Sequence, residues 1–118
     1  MLKLNHKNLA AWKKSITLIK EVYKITVKLP KEETYGITNQ IRRASISIAS
    51  NIAEGASRSS LNERKRFYQI ARSSLVEVDT QLEICIELDY LALADIKNLD
   101  RELNSVFALL TAMVKNTK

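Results

Sequence analysis

The sequence predicts an all-α fold, a single antiparallel up-down-up-down four-helix bundle, and three observations carry that expectation. Two glycines and one proline in 118 residues leave few places for the chain to reverse. Apolar residues recur at alternating spacings of three and four along four long segments. The links between those segments are short and polar, so each helix must lie antiparallel to its neighbours in sequence.

The first segment covers about 8–28, with Leu9, Trp12, Ile16, Ile19, Tyr23 and Thr26 as its expected inner face. Pro30 ends it, because proline disfavours helical geometry in the residue before it. The second segment covers about 34–56 and carries the stripe Ile37, Ile41, Ala44, Ile48 and Ile52. Gly55 and the run Ser57-Arg58-Ser59-Ser60 then read as a stop and a new start, and Ser60 with Glu63 is a capping-box pattern. The third segment, about 61–88, turns Phe67, Ala71, Ser74, Val78, Leu82 and Cys85 inward, flanked by Leu75 and Ile86. The fourth, about 94–115, does the same with Ile96, Leu99, Leu103, Val106, Leu110 and Met113. Asp95 and Lys115 lie at its two ends in the sense that the helix dipole favours.

Hydrophobic residues at 46% and charged residues at 27% are the balance of a globular protein. No run approaches the roughly 18–20 apolar residues of a membrane span. The opening MLKLNHKNLA has no apolar stretch followed by a cleavage site. A single cysteine cannot build a disulfide framework, so a cytoplasmic protein with no membrane partner is expected. Catalysis finds little support. His6 falls in the polar N-terminal tail, and Cys85 falls on a core face. No Cys/His cluster has metal-ligand spacing, and no glycine-rich loop could cradle phosphate. Glu77, Glu83 and Glu87 lack the E-x-x-H partner of di-iron bundles. The expectation is a non-enzyme with no metal, cofactor or small-molecule substrate.

The second helix is unusual. Beside its core stripe, Ile46, Ala49, Ala53 and Ala56 form a second apolar line, and together the two cover about 200° of the wheel. A bundle helix buries roughly 100° or slightly more. The second line reads either as tolerated surface alanine or as a contact with another subunit, and the subunit contact is the stronger reading. On the remaining arc, Gln40, Arg43, Ser47, Asn51 and Glu54 form a line of short, directional polar groups, within reach of Arg72 and Glu77 on the third helix. That line reads either as a polar network fixing helix register or as a ligand surface.

The stretch QIRRASISIASNIAEG from Gln40 to Gly55, continued by YQIARSSLVEVDTQLEICIELDYL from Tyr68 to Leu91, closely resembles the 23S rRNA intervening-sequence protein family. The shared core is Arg42, Arg43, Ala44, Ser47, Ile48, Asn51, Ile52, Ala53, Glu54 and Gly55, and the likeness spans essentially the whole chain. Ser73 departs from it, standing where many members have glycine. The resemblance implies a bacterial four-helix bundle that assembles into a ring, commonly a homopentamer. It extends to the accessory variability protein of diversity-generating retroelements, a basic pentameric bundle associated with nucleic acid.

A net charge of +6 and a pI of about 9.6 favour polyanionic partners. Arg42, Arg43, Arg58, Arg64, Lys65, Arg66 and Arg72 gather around the second turn and its flanking helices, and arginine suits phosphate because its planar fork binds oxygens in pairs. Binding of RNA or DNA by shape and charge is therefore the leading functional expectation. A scaffold that holds a protein partner is the alternative.

Overall fold

The computed structural model describes residues 1–117 and contains four helices: α1 (Ala10–Thr26), α2 (Ile37–Ser57), α3 (Leu61–Glu87) and α4 (Lys97–Asn116). Short 3₁₀ turns at Asn5–Asn8, Lys31–Glu33 and Leu93–Ile96 lead into α1, α2 and α4, and no strand occurs among the described residues. Each helix packs on its neighbour in sequence, and α4 closes the bundle against α1. Among the described residues, no helix is long and apolar enough to cross a membrane.

The core runs the length of the bundle through Leu18, Val22, Ile41, Ile48, Val78, Leu82, Val106 and Leu110, all buried. Burying each such side chain stabilises the fold by about 1.5–3 kcal/mol. Cys85 is a free thiol within this core; burial, with Glu33 nearby, pushes its pKa up and holds it protonated.

The buried face of α1 differs from the expected one. It is formed by Ala11, Ser15, Leu18, Val22, Ile25 and Thr26, one position around from the line through Leu9, Trp12, Ile16, Ile19 and Tyr23. One residue is about 100° of helix. The cause is size: small Ala11 and Ser15 bring α1 close to its partners, while Leu9 and Trp12 pack at the flank. Ser15 is tolerated there because its hydroxyl donates to the Trp12 carbonyl at 2.6 Å. His6 is not a loose tail residue either: it is half-buried, edge-on to the Trp12 ring at 5.3 Å.

Gly55 does not stop α2, which continues to Ser57. Its role is close approach. A Cβ on Gly55 would lie 2.8 Å from Tyr68 Cε1 and 3.0 Å from Phe67 Cβ. The link between α2 and α3 is consequently only Arg58, Ser59 and Ser60. Ser60 caps α3, its hydroxyl accepting from the Glu63 amide at 3.4 Å. At the far end, α3 closes in a Schellman motif: the Tyr90 amide reaches the Cys85 carbonyl and the Asp89 amide the Ile86 carbonyl, with Asp89 at φ 60°.

Candidate nucleic-acid interface

The α2–α3 turn gathers four of the seven expected basic residues. Arg58 follows α2, while Arg64, Lys65 and Arg66 occupy the first two turns of α3. Arg58 is held on three sides: its guanidinium lies 4.9 Å from the Phe67 ring centroid, one nitrogen is 3.2 Å from Glu54, and its backbone carbonyl accepts from Arg64 Nε. That anchoring draws Arg64 back over the turn. Lys65 and Arg66 are exposed, and among the described residues neither has an ion-pair partner. Tyr68 lies beneath the cluster; burial raises its pKa and the Arg64 charge pulls in the opposite sense.

The other three arginines do not join this cluster. Arg42 and Arg43 precede Arg58 by some fifteen residues, about 22 Å along the helix. Arg42 faces α1, where its Nε donates to Thr26 Oγ1 at 2.9 Å and its guanidinium covers the Tyr23 ring at 4.5 Å. Arg43 is exposed in a groove with Tyr35, Asn39, Gln40 and Glu77. Arg72 points to α4, donating to Thr111 Oγ1 at 3.4 Å and lying 5.9 Å from the Phe107 ring centroid. The three sites therefore open in different directions: Arg42 and Arg43 are successive positions on α2, about 100° apart, and Arg72 lies on α3.

Of the expected polar line, Ser47 and Asn51 come together and recruit Ser74 from α3. The Ser47 and Ser74 hydroxyls are 3.0 Å apart, and Asn51 Nδ2 donates to the Ser47 carbonyl at 2.8 Å and its hydroxyl at 2.9 Å. Glu54 turns instead to Arg58, one helical turn on. Arg43 and Glu77 share a groove but form no ion pair among the described residues, and Arg72 lies on the other side of α3. Gln40 borders the same groove.

The second apolar line of α2 is largely covered within the subunit. Ala49 is buried, Ala53 and Ala56 are half-buried, and only Ile46 is exposed, at 44%. Arg42, Ala49 and Ala56 are spaced by seven and share one side of the helix, and Arg42 marks that side as facing α1. The Asn5–Asn8 turn also packs on α2. The alanines thus let α1 and its lead-in approach α2, a close packing that spacing within one helix does not reveal.

Tyr23, Thr26 and Phe67 were not expected as partners of the arginines. The aromatic rings were visible in the sequence, but their register against α2 was not. No three His, Cys, Asp or Glu side chains come together as a metal site among the described residues.

No curated protein matches the chain. Among solved structures it resembles a protein of unknown function from the S23 ribosomal protein family of Bacteroides thetaiotaomicron, with a TM-score of 0.82 and 21% identity. The match covers 91% of this chain and 100% of that one, and at this identity it establishes the fold alone. Residues 7–112 match the family described as 23S rRNA-intervening sequence protein. That match takes in all four helices up to the last turn of α4, and the chain belongs to this family.

Proposed function

We propose that the protein is a non-enzymatic, homo-oligomeric bundle that binds RNA or DNA through the α2–α3 turn. The observation that carries this reading is the concentration of Arg58, Arg64, Lys65 and Arg66 at one corner of the bundle, with Lys65 and Arg66 presented to solvent. They surround the N-terminal end of a 27-residue helix, whose dipole favours an anion there. Such a corner reads phosphate charge and carries little base information. The ribosomal terms in the name of this family, and in that of the family to which the similar structure is assigned, point the same way and add no residue to the site.

The test is binding to a structured RNA and to duplex DNA across a salt series. Each phosphate neutralised contributes a slope of about −0.9 to log K against log salt on duplex DNA. Lys65→Ala with Arg66→Ala should flatten that slope by nearly two phosphates, whereas Arg42→Ala should leave it unchanged. No binding to either nucleic acid at low salt would remove the reading and favour a scaffold for a protein partner.

A further inference from the structure

The net charge of +6 is unevenly placed along the bundle. Three hydrogen bonds set the levels of the helices: Ser47 with Ser74 between α2 and α3, Arg42 with Thr26 between α2 and α1, and Arg72 with Thr111 between α3 and α4. A cut across the middle at those levels leaves residues 1–18, 48–74 and 108–117 on the side of the α2–α3 turn. That half carries ten lysines and arginines against Glu54 and Glu63 alone. The other half, residues 19–47 and 75–107, carries eight against eleven acids. One half is therefore +8 and the other −3. A molecule charged in this way turns its basic end towards a polyanion before contact and its acidic end away.

The basic half holds more than the turn. Lys3, Lys13 and Lys115 are exposed, and among the described residues none of them has an ion-pair partner. Lys3 and Lys13 flank a segment that is held in place. The Asn5–Asn8 turn packs on α2, His6 lies against Trp12, and the Lys7 ammonium donates to the Leu2 carbonyl. Charges on a fixed frame lose less freedom on meeting a ligand than charges on a free tail. The opposite half also exposes lysines, but they stand among acids: Glu32 and Glu33 follow Lys31, and Asp95 and Asp100 flank Lys97.

We infer that nucleic acid is bound end-on, across the whole basic end of the bundle, with Lys3, Lys13 and Lys115 contacting phosphates alongside Lys65 and Arg66. The inference rests on the nucleic-acid half of the function proposed above and adds the N-terminal segment and the last turn of α4 to the site. The bundle measures 44 × 29 × 20 Å, with its long axis along the helices, so the end presents a face 29 Å by 20 Å. A duplex advances about 3.4 Å per base pair, so the longer edge of that face spans roughly eight base pairs. Contact along the side of the bundle would instead set exposed acids of the other half, such as Glu77 and Glu83, against the same phosphates.

Two double variants with the same change in net charge test the site, on the duplex DNA and structured RNA of the salt series above. Lys3→Ala with Lys13→Ala should flatten the slope on duplex DNA by nearly two phosphates, about 1.8. Lys31→Ala with Lys97→Ala, at the acidic end, should leave the slope unchanged. All four side chains are exposed, so both variants should fold as the wild type does, which circular dichroism checks. If the acidic-end pair flattens the slope as much as the basic-end pair or more, binding follows net charge and the end-on site is wrong. If neither pair alters it while Lys65→Ala with Arg66→Ala does, the site stops at the turn: the inference fails and the proposed function stands. A wild type that binds neither nucleic acid at low salt overturns both.

Discussion

The two ends of the bundle are held together in different ways. At the base, the α1–α2 and α3–α4 links are long enough to carry side chains that cross between them. Tyr90 donates to Glu33 at 2.9 Å, and Lys28 pairs with Asp95 at 3.1 Å. Asp95 also accepts from the Ala92 amide, and that bond followed by Lys28 holds its carboxyl below the usual range. At the other end a three-residue turn is tied to its flanking helices through Arg58, and α2 meets α3 directly at Gly55. One end depends on directional polar contacts that can be lost one at a time. The other adds to such contacts a close approach that depends on the absence of a single methyl group.

Gly55→Ala should have the largest effect. Overpacking against buried Tyr68 costs about 1–3 kcal/mol, against roughly 1 kcal/mol that alanine gains in a helix interior. The expected outcome is a net loss of about 1 kcal/mol, in a range of about 0–2, in a urea titration. A higher midpoint would mean that the helices are not in contact there. Tyr90→Phe should act less, lowering the melting temperature by a few degrees near neutral pH. Its hydrogen bond to Glu33 raises the Tyr90 pKa. A group whose pKa is raised on folding contributes fully below its unfolded value, about 10, and loses that contribution as pH rises through the folded value. The gap between wild type and variant should therefore close in strong alkali, and a gap constant from about pH 7 to well above 10 would contradict the bond. Asp89→Gly should have the smallest effect, a gain of about half a kcal/mol. Glycine relieves the positive φ and removes a negative charge from a helix C-terminus. A loss of stability would show that Asp89 holds a contact the backbone geometry does not reveal.

Periodicity within one helix determined what the sequence could disclose. The inner residues of α4 from Ile96 to Leu110 are buried as their spacing predicts, because the remainder of that helix is mostly polar and offers no competing face. The first helix has apolar residues around much of its circumference, so two adjacent lines satisfied the same spacing rule. Only the packing of Ala11 and Ser15 selects between them. The basic corner was partly legible, since Arg64, Lys65 and Arg66 are consecutive and any helix starting near Ser60 carries them within its first two turns. The surroundings of Arg42 and Arg72 were not legible, because their partners Thr26 and Thr111 come from other helices. A guanidinium that is occupied inside its own subunit looks no different in sequence from one that faces solvent.

The shortness of the Arg58–Ser60 turn also bears on how the chain folds. Closing a three-residue link costs little conformational entropy, so α2 and α3 can meet before the more distant α1 and α4 must be brought together. They share the most extensive contact in the bundle and are clipped near their middle by Ser47 and Ser74. This hairpin has the local character expected of a folding nucleus, on which α1 and α4 condense afterwards. Substitutions at Gly55 should therefore slow the arrival of the native state, whereas those at Tyr90 should chiefly hasten its loss.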